Sequence, residues 1–118
     1  MKQIIVFTLS LFFISTAHAS SERMYIMKNT SGACSGVISQ ATLEVVDGKP
    51  KKLLFPTATM TFENSSKIES KSKTMLLNED GRLTKVALQL LSDKTISFKV
   101  VAEGEECSGM NIIFTPSE

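Results

Sequence analysis

From Met24 onward the chain is built of short apolar alternations broken by turn residues, the pattern of half-buried β-strands. Met24 to Lys28 predicts a first short extended segment. In Val37 to Val46, the residues Ala41, Leu43 and Val45 share one face, against Thr42 and Glu44 on the other. Asp47-Gly48-Lys49-Pro50 is a turn, because glycine accepts positive φ and proline pre-sets φ. Lys52 to Glu63 reads as one further strand, in which Ala58, Met60 and Phe62 alternate with Thr57, Thr59 and Thr61. Pro56 cannot donate to a ladder, so it assigns that strand to a sheet edge or a bulge.

Glu63-Asn64-Ser65-Ser66 and Asn78-Glu79-Asp80-Gly81 are turns, and they enclose a polar stretch that becomes apolar only at Thr74 to Leu77. Ile96, Phe98 and Val100 define a half-buried strand, and Met110, Ile112 and Phe114 a last one, ended by Pro116. Between them, Leu83 to Leu91 fits two periods. Leu83, Val86, Ala87, Leu90 and Leu91 make a helical stripe, whereas Val86, Leu88 and Leu90 alternate as a strand. Thr84 and Val86 tip the expectation to strand. The fold class expected is all-β (or β-rich with one short helix near 83–91): a small antiparallel β-sandwich or a partly open barrel.

The start of the chain carries a different signal. Lys2 precedes an almost wholly apolar run, Ile4 to Ile14, and Ala17-His18-Ala19 then supplies small residues at the −3 and −1 positions of a signal-peptidase site. The run falls short of the ~20 residues that span a bilayer. Residues 1–19 are therefore expected to be an export signal cleaved between Ala19 and Ser20. Residues 20–118 then form a single domain of about a hundred residues, periplasmic or secreted, in a Gram-negative bacterium. No second apolar run reaches membrane-spanning length, so no transmembrane segment is expected in the mature chain.

Two cysteines, Cys34 and Cys107, lie near opposite ends of the mature chain. In an oxidising compartment they are expected to form one disulfide; a redox or metal pair needs closer spacing, such as C-x-x-C. Ser31-Gly32-Ala33-Cys34 looks superficially like a lipobox, but the polar stretch with Glu22, Arg23 and Lys28 separates it from the apolar run. The bond also constrains topology. In a simple meander of seven strands, the turns holding Cys34 and Cys107 fall at opposite ends of the sheet. Bonded cysteines need Cα atoms roughly 4.4–6.8 Å apart. The expectation is that a crossover through Lys67–Lys73, a helix at Leu83–Leu91 or a non-strand first segment breaks the meander.

Charge and composition then exclude several kinds of chemistry. Without Lys2 the mature chain is neutral, which disfavours nucleic acid as a partner. The single histidine, His18, leaves with the leader, and oxidised cysteines leave no thiolate, so no residue set for catalysis emerges. The Ser66-Lys67 and Ser70-Lys71-Ser72-Lys73 cluster reads as an exposed polar loop or edge strand rather than a serine–lysine catalytic pair. Glu103, Glu105 and Glu106 read as a solvated acidic turn rather than a cation site. Met24 and Met27 read as packing residues rather than copper ligands. Asn29-Thr30-Ser31 and Asn64-Ser65-Ser66 are glycosylation sequons that a bacterial chain is expected to leave bare. No cofactor and no metal are expected.

What remains is binding. The sequence is read as a non-catalytic, inhibitor- or immunity-type accessory protein that docks another envelope or extracellular protein. The docking surface expected is a strand edge or sheet face, at the Pro56-bearing strand or the polar Lys67–Leu77 segment, with Lys67, Lys71 and Lys73 as the candidate interaction surface. A structural subunit of a surface or fimbria-like assembly is the alternative. A small-barrel carrier of an apolar ligand is the third reading, set behind the others because it needs interior space that a core of this size is expected to fill.

Overall fold

The structure, a computed structural model, describes residues 22–117. The expected leader, 1–19, and its Ala19–Ser20 cleavage site lie outside the described residues. Eight strands follow one another in sequence order: β1 (Glu22–Ser31), β2 (Thr42–Val46), β3 (Lys49–Phe55), β4 (Ala58–Glu63), β5 (Lys73–Glu79), β6 (Arg82–Leu90), β7 (Ile96–Val100) and β8 (Asn111–Pro116). Each pairs antiparallel with its sequence neighbours, and β8 returns to pair with β1, from Tyr25 opposite Pro116 to Ser31 opposite Asn111. The sheet is thus a closed up-and-down barrel rather than a sandwich or a partly open one.

The alternation in the sequence becomes inside and outside of this barrel. Leu43 and Val45, Leu53, Met75 and Leu77, Val86 and Leu88, Ile96 and Phe98, Ile112 and Phe114 all point inward and are buried. Phe98 and Phe114 meet edge to face at the centre, with ring centroids 6.3 Å apart, a favoured aromatic geometry. The segment with two possible periods is strand β6, as the β-branched residues indicated. Threonines and lysines such as Thr59, Thr61, Lys85 and Lys99 face outward. No helix among the described residues is long and apolar enough to cross a membrane.

Two tight turns form as their residues dictate. Val46 pairs with Lys49 and Glu79 with Arg82, so Asp47-Gly48 and Asp80-Gly81 are two-residue hairpin loops. Both residues of each loop have positive φ, 52° and 81° in the first, 52° and 88° in the second. That is the twist-matched hairpin turn for which Asp-Gly is suited.

Three expectations need correction. Lys52 to Glu63 is not one strand: Phe55 pairs with Ala58, so Pro56-Thr57 is itself a hairpin turn between β3 and β4. A bulge lies instead at Pro50–Lys52, where Glu44 opposes Lys52 and Val45 opposes Pro50. Lys51 is the extra residue, and Pro50 and Leu53 both reach the interior. Second, Val37 to Val46 forms a strand only from Thr42; Ser35–Val37 is a single 3-10 turn. Third, neither a crossover, nor a helix at 83–91, nor loss of the first strand reconciles the disulfide with a meander. The extra hairpin does so, because an eighth strand puts the β1–β2 and β7–β8 loops at the same end, and closure makes them neighbours.

The two ends of the barrel differ. At one end residues 64–72, between β4 and β5, cross the opening. The Ile68 N–H donates to the Gly48 carbonyl at 2.8 Å, the Leu90 N–H to the Glu69 carbonyl at 2.7 Å, and the Gln89 amide to the Ser70 carbonyl at 2.9 Å. Ile68 is buried as part of the core. Beside it, the β6–β7 turn is held by Asp93, which accepts from the Thr95 hydroxyl and N–H. These bonds hold the Asp93 carboxyl below its ordinary range. This end is plugged. The opposite end is open, and the disulfide lies there.

Candidate functional site at the open mouth

Four connections stand around the open end: β1–β2 (residues 32–41), the Pro56-Thr57 turn, the Asp80-Gly81 turn, and β7–β8 (residues 101–110). The first and last are joined by the Cys34–Cys107 disulfide, with Cα atoms 5.4 Å apart. Their backbones also touch. Gly32 has φ +83°, and a Cβ built there would lie 2.3 Å from the Gly109 carbonyl oxygen. The β7–β8 loop is anchored in turn by Gly109 N–H to the Val100 carbonyl, 2.8 Å, and Val100 N–H to the Met110 carbonyl, 2.9 Å. Gly32→Ala is therefore expected to cost about 1–3 kcal/mol, from positive φ and backbone contact together. Urea unfolding of the variant against the parent checks this, and an unchanged midpoint would show that the loops do not approach as described.

Inside this ring the barrel interior is not filled. A cavity of about 490 Å³ opens to solvent at the mouth. Its floor is Leu53, Leu77 and Phe98, each buried. Met60 and Phe55, partly buried and packed on the core, line the wall. On the lip, Val37 is 80% exposed, the most open of the large apolar side chains among the described residues.

The rim has two halves. The β1–β2 loop and the Pro56-Thr57 turn bring no charged side chain to the cavity; their lining residues include Val37, Ile38, Gln40, Pro56 and Ala58. The β5–β6 turn and the β7–β8 loop bring Glu79, Arg82, Glu105 and Glu106. Arg82 and Glu105 form an ion pair that ties these two connections together. No ion pair among the described residues engages Glu79 or Glu106. The arrangement is an apolar cup with a polar, net acidic half-rim. It has the make-up of a recognition site: mostly apolar lining and a few polar groups to fix orientation.

The sequence-derived candidates are placed elsewhere, or differently. Lys67, Lys71 and Lys73 sit at the plugged end, away from the cavity. Lys73 pairs with Glu69 at 3.2 Å, and the Lys67 stem covers Gly48. The Pro56 segment and β5 are not free edges, since every strand has two neighbours in the closed barrel. Met27 packs on the core as expected, but Met24 faces outward and is exposed, so it is not the packing residue that the sequence suggested. Glu103, Glu105 and Glu106 share the β7–β8 loop, and among the described residues no group of three acidic, histidine or cysteine side chains is placed to hold a metal ion. The cysteines are joined, as their number and spacing indicated. Sequence reasoning missed Glu79 and Arg82 as rim residues. They pair across a turn that was itself legible, but what the turn surrounds is set by strands far away in sequence.

Comparison with protein-family models, with curated proteins and with solved structures gives no match for this chain.

Proposed function

We propose that this protein is a non-catalytic binding protein that holds a small amphipathic molecule in the mouth of its barrel, as a carrier or sequestering protein of the periplasm or extracellular space. The observation that carries this reading is the cup itself, plugged by Ile68 at one end and open at the other over a cavity of about 490 Å³. That volume falls within the roughly 300–1,000 Å³ of small-molecule sites. An eight-stranded barrel is wide enough either to be filled by side chains or to hold one small ligand. The space that the sequence reading expected to be filled is open, which moves the carrier from third reading to first.

The hydrophobic effect sets the driving force at about 0.8 kcal/mol per methylene taken out of water. Much of that is offset by lost motion of the ligand, so a short chain binds in the micromolar to millimolar range. Ala58, on the lip, is the place to block it. In Ala58→Trp the indole occupies the mouth, and in a chain with no tryptophan it is also a single fluorescent reporter. Calorimetric titration with 1-octanol is expected to show one site in the parent and at least tenfold weaker binding in Ala58→Trp. Equal binding by both, or none by the parent, would contradict the reading.

A second reading, the inhibitor-type protein binder, uses the same mouth and is favoured by the exposure of Val37 on its lip. A partner would then seat an apolar side chain in the cup. Among the described residues the closed barrel leaves no free strand edge, so a protein partner or a second subunit would meet the mouth or an outer sheet face.

A further inference from the structure

The charge around the mouth is uneven in a way that selects among amphiphiles. Of the charged side chains lining the cavity, Arg82 and Glu105 neutralise one another in their ion pair. Glu79 and Glu106 remain, and both line the cavity. Asp80 and Glu103 lie on the same two connections. The other half of the rim supplies no charged lining residue of either sign. A molecule whose apolar part enters the cup leaves its polar head at the rim, where one half is uncharged and the other carries these carboxylates, so a charged head is oriented by the acidic half.

We infer that the occupant is a small cationic amphiphile, an alkylamine-like molecule whose apolar chain lies against Leu53, Leu77 and Phe98 and whose ammonium sits at Glu79 and Glu106. This rests on the ligand-binding reading above and adds the sign of the head group to it. The charge works in both directions. A positive head gains from the carboxylates, and a negative head of the same length is repelled before its chain is buried. Because these carboxylates are solvent-accessible, each contact is worth no more than about 1 kcal/mol. Two of them set a preference of roughly five- to tenfold between a cationic and a neutral head at low salt. Salt screens exposed charges over about 10 Å at 0.1 M, so the preference shrinks as salt rises.

The test is a calorimetric titration of three probes with one chain length: octylamine, 1-octanol and octanoate, at neutral pH and low salt. Octylamine is expected to bind about five- to tenfold more tightly than octanol, and octanoate more weakly than octanol. In the double variant Glu79→Gln, Glu106→Gln, octylamine is expected to fall to parity with octanol. Glu44→Gln, on the outer wall of β2, is expected to keep the preference. Octylamine and octanol binding equally to the parent, or octanoate binding best, would overturn the charge assignment while leaving a ligand-binding cup. Failure of all three to bind would remove the cup reading as well. If a short basic peptide carrying phenylalanine binds at the mouth and no octyl probe does, the occupant is a protein segment, and the small-molecule assignment falls.

Discussion

Breaking the Cys34–Cys107 bond is expected to lower the stability of the barrel by about 4 kcal/mol, the chain-entropy value for a loop of roughly 70 residues. Domains of this kind have about 5–15 kcal/mol in all, so the loss takes a large share of the total. The reason lies in the topology. The bond joins the first and last interstrand connections, so it closes almost the whole barrel in the unfolded chain as well. Barrel closure itself requires β1 to find β8, the pairing most distant in sequence. The disulfide makes that search local. Urea unfolding with and without reductant, alongside the double variant Cys34→Ser, Cys107→Ser, measures the effect. A midpoint that does not move would show that the bond contributes little to holding the barrel closed.

Phe98→Ala is expected to cost about 3–5 kcal/mol, the range for truncating a buried aromatic residue. Phe98 is 1% exposed, stacks edge-on against Phe114 and forms part of the cavity floor. The same substitution at Phe55, partly buried on the cavity wall, is expected to cost about 1 kcal/mol or less, because little area is fully withdrawn from water there. The two variants separate packing from binding. Phe98→Ala deepens the cup, so ligand is expected to restore part of its lost stability by mass action. Phe55→Ala removes wall and is expected to weaken octanol binding with little change in the urea midpoint. Should the two variants lose equal stability, the division into a packed floor and an open wall is wrong.

Much of this architecture was legible in local pattern. Asp47-Gly48 and Asp80-Gly81 announce their turns because few residue pairs accept two consecutive positive φ values. Ile96-Phe98-Val100 and Met110-Ile112-Phe114 announce strands by strict alternation. The missed hairpin at Pro56-Thr57 also left a mark. The inward residues Leu53 and Phe55 are odd-numbered, whereas Ala58, Met60 and Phe62 are even. A continuous strand cannot change phase in that way, since its side-chain period is two. The clean alternation of Thr57, Thr59 and Thr61 with Ala58, Met60 and Phe62 after the proline masked the shift.

What the sequence could not show is the distance from one end of the chain to the other. Closure depends on β1 reaching β8, and no local pattern encodes it. The cup depends on closure, and on Ile68 folding back over one end from a segment that reads as a polar loop. Glu105 and Glu106 were readable as an acidic turn, and Glu79 as part of another. That these two turns stand on the same side of one opening follows only from the order of strands around the barrel.

Methionine methyl resonances provide the most direct test of the binding mouth. Met60 lies on the cavity wall and Met110 on its lining at the β7–β8 side, whereas Met24 is on the outer surface of β1. On titration with octylamine, followed by NMR of methyl-labelled methionine, Met60 and Met110 are expected to shift saturably, with Met24 stationary. A shift confined to Met24, or no shift at any of the three, would contradict it.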